Sequence, residues 1–305
     1  IFYQAMTQFL GFKNYGDEYK LMGLSSYGKP KYINEISNII DFDIDNHYRL
    51  NLNYFNHHNS FEGESTVKGN MQLFNKNIED IFGIGRDINS DISQYHMDIA
   101  SSVQKKYEDI FFSILNFTYD KYQNSNLSLS GGCAQNSLAN GKIKKITKFN
   151  NVFIPPSPAD SGGAVGAAIL GSIKKKDSFY LNKSPYLGKS YTNEEIKELL
   201  ENYETKLVYE KLSNKDLIKK IAKKLSENFV VGWFSGRAEW GPRALGNRSI
   251  LCNPGNKDAK ELLNKKIKLR EKFRPFAPSV LEEEAKKWFK TDQIWPFMSS
   301  VITAD

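Results

Sequence analysis

Apolar side chains recur at three- and four-residue intervals between Ser93 and Tyr122, where Ile99, Val103, Tyr107, Ile110, Ile114 and Phe117 share one side of a helical wheel. This spacing predicts a long amphipathic helix with one buried stripe. The period then changes. LSLSGGCAQN reads as a short apolar strand that breaks at a double glycine and enters a helix near Asn136. VFIPPSPADSGGAVGAAILGSI repeats the order of strand, proline-rich loop, carboxylate and a helix of small residues. Two strand-loop-helix units in succession predict a mixed α/β fold with ligands at the carboxyl ends of its strands.

The flanking regions are less regular. GFKNYGDEYKLMGLSSYGKP, residues 11–30, reads as short helical or looped segments closed by a Gly-Lys-Pro stop. Residues 31–90 are rich in Asn, Asp and Tyr and read as an irregular insertion with short hairpins, and 172–190 read as a polar linker. Beyond the linker the pattern predicts helices from about Thr192 to Asn202 and Asn214 to Asn228, a strand around Lys206–Tyr209 and another at FVVGWF. Two domains are expected, 1–178 and 179–305.

A hydrophobic content of 40% and a charged content of 25% are those of a water-soluble globular chain, and no apolar run reaches the ~20 residues needed to span a bilayer. No membrane partner is expected, and a cytoplasmic location follows as the default. The chain opens inside an apolar segment, IFYQAMTQFLGF, which reads as a piece of a longer protein. Cys133 and Cys252 lack metal-ligand spacing. The net charge of +7 suits phosphates, nucleotides or nucleic acid, although much of the lysine is explained as solvated helix surface.

The candidate chemistry lies in GWFSGRAEWGPRALGNRSIL, residues 232–251. Arg237, Arg243 and Arg248 sit there among glycines and a proline, with Arg248 and Ser249 expected on a turn. Guanidinium forks together with backbone N–H groups suit an anion, and guanidinium keeps its charge when buried. NKKIKLREKFRPFAP adds Lys268, Arg270 and Arg274, whereas Lys265, Lys266 and Lys272 read as surface. Gly131 and Gly132 permit close approach to a ligand beside the Asn136 amide, or form an ordinary tight turn. Asp160 could hold a hard metal or cap the helix after it, and spacing alone favours the cap. His57 and His58 read as loop packing, because adjacent side chains on an extended chain face opposite ways.

Taken in order, GDEYKLMGLSSYGKP, LSLSGGCAQNSLANGKI, PPSPADSGGAVGAA, GWFSGRAEWGPRALGNRSILCNP and NKKIKLREKFRPFAPSVLEE closely resemble the nodulation-factor and antibiotic O-carbamoyltransferases. The resemblance implies the later part of an actin-like ATPase domain, then a truncated YrdC-like domain. It implies an enzyme that forms carbamoyl-adenylate and pyrophosphate from carbamoyl phosphate and ATP and then carbamoylates a hydroxyl of a sugar, antibiotic or other small molecule. By the same resemblance, Arg237, Arg243, Arg248, Lys268, Arg270, Arg274, Gly131, Gly132 and Asn136 contact carbamoyl phosphate or nucleotide, with Arg237 and Arg243 catalytic. Asp160 becomes a ligand of a divalent metal, whether iron, magnesium or manganese, which reverses the preference for a cap. The paired histidines that complete that metal site in the family belong to an N-terminal lobe absent before Ile1, so the isolated chain is expected to be impaired. Two alternatives remain: a related carbamoyl or threonylcarbamoyl transferase acting on tRNA or protein, and a basic nucleic-acid-binding module. Nucleic acid is not the favoured partner, and a homodimer is left open.

Overall fold

The computed structural model describes residues 1–43, 47–58, 71–177, 184–203, 207–289 and 294–302. It is a mixed helical structure with small sheets, and the chain forms two compact units that interleave in sequence. One comprises Ile1–Leu127, Leu138–Val152 and Arg270–Phe276; the other comprises Ser128–Ser137, Phe153–Leu269 and Ala277–Asp305. The boundary expected at 178–179 lies outside the described residues.

The first unit is built on helices α1 (Phe2–Phe9), α2 (Glu18–Ser25), α3 (Ile33–Ile39), α4 (Lys76–Phe82) and α5 (Gln94–Tyr122). Helix α5 starts where Ser93 and His96 form a reciprocal cap, and it stops at Gln123, whose φ of 49° leaves the helical region. Ile99, Val103 and Ile110 are buried as the period predicts, while Phe117 is exposed and carries the ring of His47. Burial is wider than one stripe. Gln104, Lys106 and Glu108 are also enclosed, and each is satisfied: Lys142 Nζ lies 2.6 Å from Glu108, and Lys106 Nζ lies 3.0 Å from Asp41.

Residues 31–90 are not a peripheral insertion. Helix α3, the antiparallel pair β1 (Ile40–Asp41) and β2 (Arg49–Leu50), the bridge between Phe55 and Phe74, and helix α4 deliver Ile36, Ile39, Ile40, Phe55, Leu73, Phe74, Ile78 and Phe82 into the same core as α1 and α2. The pieces are too short to show a period, but each contributes one or two apolar anchors. His57 lies edge-on to Phe55 at 5.7 Å, with burial pushing its pKa down.

Asp98 fastens the loop after α2 to α5. Its carboxylate is almost inaccessible, accepts from Lys29 N and Gln94 Nε2 at 2.9 Å, and pairs with Lys31 Nζ at 2.6 Å. The Lys31 hydrogen bond first, then those from Gln94 and Lys29, hold its pKa at about 2. A carboxyl near 3.9 when unfolded and lower when folded stabilises the fold above that range, and the gain disappears as pH falls toward the folded value. Asp98→Asn should therefore cost about 2 kcal/mol near neutral pH. In denaturant titrations its deficit against the native chain should close as pH falls from about 5 to about 2.

Beyond α5, β3 (Asn126–Ser128) pairs with β4 (Asn151–Phe153), with α6 (Ser137–Asn140) and α7 (Ile143–Ile146) between them. The two strand-loop-helix units are present, but the sheet they form has two strands.

The second unit contains α8 (Asp160–Lys175), α9 (Asn193–Glu201), α10 (Asn214–Ser226) and the antiparallel pair β5 (Val231–Phe234) and β6 (Arg248–Leu251). Thr192 and Ser213 cap α9 and α10 by accepting from Glu195 N and Asp216 N. The strand expected around Lys206–Tyr209 is absent at 207–209, and Lys206 lies outside the described residues. Leu170, Ile173, Leu199 and Ile218 on these helices are exposed, whereas Ile154, Leu263 and Phe297 are buried. Among the described residues, no helix is long and apolar enough to cross a membrane.

Candidate anion site

The arginine loop is the connection between β5 and β6. Phe234 pairs with Arg248, so Arg248 and Ser249 stand on a strand and not on the turn expected for them. The side chain of Glu239 is wholly buried at the centre of the loop. Its Oε1 accepts from the backbone N–H groups of Leu245 at 2.7 Å, Asn247 at 2.8 Å and Arg248 at 3.2 Å. Oε2 lies 3.4 Å from Arg248 Nε, an ion pair without a hydrogen bond. Burial alone would raise the Glu239 pKa, but the converging backbone N–H groups outweigh it and the net direction is downward. Backbone donors expected to face a ligand are thus partly committed to the protein's own carboxylate.

A strap secures the loop. Pro185 O accepts from Trp240 N at 2.6 Å, Ala238 O accepts from Gly188 N at 2.9 Å, and Tyr186 Oη donates to Leu245 O at 2.9 Å. Arg237 Nε donates to Gly188 O at 2.7 Å, and Asn247 Nδ2 donates to Arg237 O. Residues 184–188, read from sequence as part of a polar linker, are therefore bound structure.

Three sequence motifs meet in a shallow crevice within this unit. Ala134 and Gln135 come from the double-glycine segment, Pro155, Pro156 and Pro158 from the proline loop, and Pro242 and Arg243 from the arginine loop; Phe297, Met298 and Ser299 complete the lining. Gly131 N donates to Pro158 O at 2.6 Å, which ties the first two motifs together. Gly241 ties the third to the second: at φ 120° it lies so near the proline loop that a Cβ would stand 2.5 Å from Pro156 O. Glycine is required there on both counts. Gly132 opens a 3-10 turn, Gly132–Gln135, that ends at Asn136.

Asp160 is the first residue of α8 and is exposed, and the capping position belongs to Ala159, which makes no side-chain cap. The cap favoured by spacing is therefore not formed. Among the described residues, no group of three or more His, Cys, Asp or Glu side chains is arranged to hold a metal.

The remaining cations are divided. Lys268, like Lys265 and Lys266, is exposed, at the end of a π-helical turn over Leu263–Ile267. Arg270 and Arg274 belong to the first unit, where Arg274 docks on α2. Arg274 stacks on Tyr19 at 4.2 Å and lies 3.4 Å from Glu271, while Lys20 stands between Asp17 at 3.0 Å and Glu271 at 3.1 Å. Tyr27 Oη donates to Phe273 O at 3.0 Å. Arg270 stacks on Phe276 at 4.7 Å, and burial followed by the charge of Arg274 lowers its pKa. The Arg-Pro-Phe segment and GDEYKLMGLSSYGKP, far apart in sequence, thus form one cluster.

Sequence reasoning missed Glu239 and the strap. A lone carboxylate among three arginines was the available sign of the first; the second gave none.

Two family models match the chain. Residues 1–169 match the carbamoyltransferase N-terminus model, and residues 222–305 match the carbamoyltransferase C-terminus model. The chain belongs to the carbamoyltransferase family. It is 41% identical over its whole length to an uncharacterized protein of Synechocystis, of which it covers 49%. It is also 33% identical over 99% of its length to the nodulation protein NolO of Bradyrhizobium diazoefficiens, of which it covers 52%. Nodulation protein U of the same organism is 37% identical over 57% of the chain, which covers 28% of that protein. The chain therefore spans about half the length of the first two relatives.

Proposed function

We propose that this chain carries the donor-handling part of an ATP-dependent O-carbamoyltransferase. The observation that supports it most is the crevice where Arg243, the proline loop and the Ala134–Gln135 turn meet, in a chain whose two ends match the two carbamoyltransferase models. In this reading residues 1–178 belong to an actin-like domain and 179–305 to a YrdC-like domain. Carbamoyl phosphate, ATP and one water give carbamoyl-adenylate with release of phosphate and pyrophosphate. A small-molecule hydroxyl then attacks the carbamoyl carbon, loses its proton and displaces AMP.

Arg243 holds phosphoryl oxygens of the donor at the crevice, and the charge that builds on them during adenylation is what a preformed guanidinium stabilises. Arg237, Arg248, Lys268, Arg270 and Arg274 belong to the proposed cationic set, and Gly131, Gly132 and Asn136 to the proposed nucleotide-contacting turn. Asp160 is proposed as one ligand of a divalent metal, although a single carboxylate by itself falls short of a metal site. Full-length protein supplied with ATP should release pyrophosphate only when carbamoyl phosphate is present, followed as labelled pyrophosphate from γ-labelled ATP separated from the phosphate that carbamoyl phosphate itself gives. Release that is independent of carbamoyl phosphate contradicts this function.

A further inference from the structure

Converging backbone N–H groups on a glycine-rich turn make an anion-binding hollow. In the arginine loop such a hollow is formed by the N–H groups of Leu245, Asn247 and Arg248, and it is filled from within by the buried carboxylate of Glu239. Those three donors are thereby spent on a fixed internal anion, and the loop's chemistry toward an external one passes to its guanidinium groups. Arg248 meets Glu239 Oε2 through Nε, and a guanidinium engaged through Nε keeps two terminal nitrogens for a second anion. Arg243 lies on the arc from 239 to 248 that the carboxylate closes, and this arc carries it to the crevice.

We infer that Glu239 is the positioning residue of the donor site, a built-in anion that sets the arc presenting Arg243 and anchors Arg248 by its inner edge. The inference rests on the function proposed above. Glu239 touches no reacting group and acts through the loop it closes. Misplacing a binding group by about 1 Å costs on the order of 100-fold in rate.

The test uses the full-length protein with Glu239→Gln and Glu239→Asp. Hydrogen exchange in peptides spanning 239–251 reads the loop, and carbamoyl-phosphate-dependent pyrophosphate release reads the site. Glu239→Gln should speed exchange in those peptides and lower kcat/KM for carbamoyl phosphate by about 100-fold per folded molecule. Glu239→Asp, which keeps the charge, should recover at least tenfold of that loss. Unchanged exchange with unchanged kcat/KM in the Gln variant overturns the inference, as does equal loss in both variants. Should the Gln variant fail to fold, the Asp variant decides alone: about a tenfold loss with Tm nearly unchanged supports the assignment, and native kinetics refute it. If the unaltered protein shows no dependence on carbamoyl phosphate, the proposed function fails, and exchange in the Gln variant still decides whether Glu239 sets the loop.

Discussion

Arg243→Ala should lower carbamoyl-phosphate-dependent pyrophosphate release by about 10²- to 10³-fold, equivalent to about 2.7–4 kcal/mol of lost transition-state stabilisation. Arg243 is the cation that the structure places in the crevice shared by the double-glycine, proline and arginine segments. The residue before it is Pro242, and Gly241 is pressed against Pro156 O, so the backbone presenting this guanidinium has little freedom. Arg237→Ala should cost less, because its Nε already donates to Gly188 O and the change loosens the strap first. Initial rates at saturating ATP with varied carbamoyl phosphate separate the two: a loss in kcat marks Arg243, and a smaller loss accompanied by a lower Tm marks Arg237. Equal losses in both variants would remove the reason for centring the site on Arg243.

Gly28→Ala should be the most damaging single change to stability in the first unit, at about 3 kcal/mol or more in denaturant titration. A Cβ at Gly28 would stand 1.9 Å from Met97 O and 2.7 Å from Asp98 N. Both obstacles are main chain of α5, a helix held on either side by packing, so neither can swing aside as a side chain would. The substitution would also spread the loop whose Lys29 and Lys31 engage Asp98. Gly83→Ala offers a comparison, since nothing lies within 4 Å of its Cβ position; with φ at 75° it pays only for backbone strain.

The regular elements were most legible where the chain runs long enough to repeat a period. Helices α5, α9 and α10 were readable from their pattern of apolar and polar positions. The core of residues 31–90 was not, because Phe55, Leu73 and Phe74 reach it from short segments joined by a bridge, and a bridge leaves no periodic trace. Gly28 was readable as punctuation, but its close approach to Met97 is a tertiary fact.

At the site the sequence showed which residue types were concentrated and not what they hold. Arg243 and Arg248 look alike in the motif, yet one lines the crevice and the other pairs with a buried carboxylate. Arg270 and Arg274 looked like further ligands for an anion; their aromatic partners Phe276 and Tyr19 could not be matched to them from spacing. Glu239 was hidden for a related reason, since its main partners are backbone N–H groups, which every residue but proline possesses.

The most direct test of the account is the binding of carbamoyl phosphate itself, followed as thermal stabilisation of the full-length protein in its native form and as Arg243→Ala. A site that binds the folded state should add about 2.7 kcal/mol when carbamoyl phosphate is present at 100 times its Kd. The account predicts that gain for the native protein, little for the variant, and little for either with inorganic sulfate at the same ionic strength. Equal stabilisation of the native protein and the Arg243→Ala variant would contradict it.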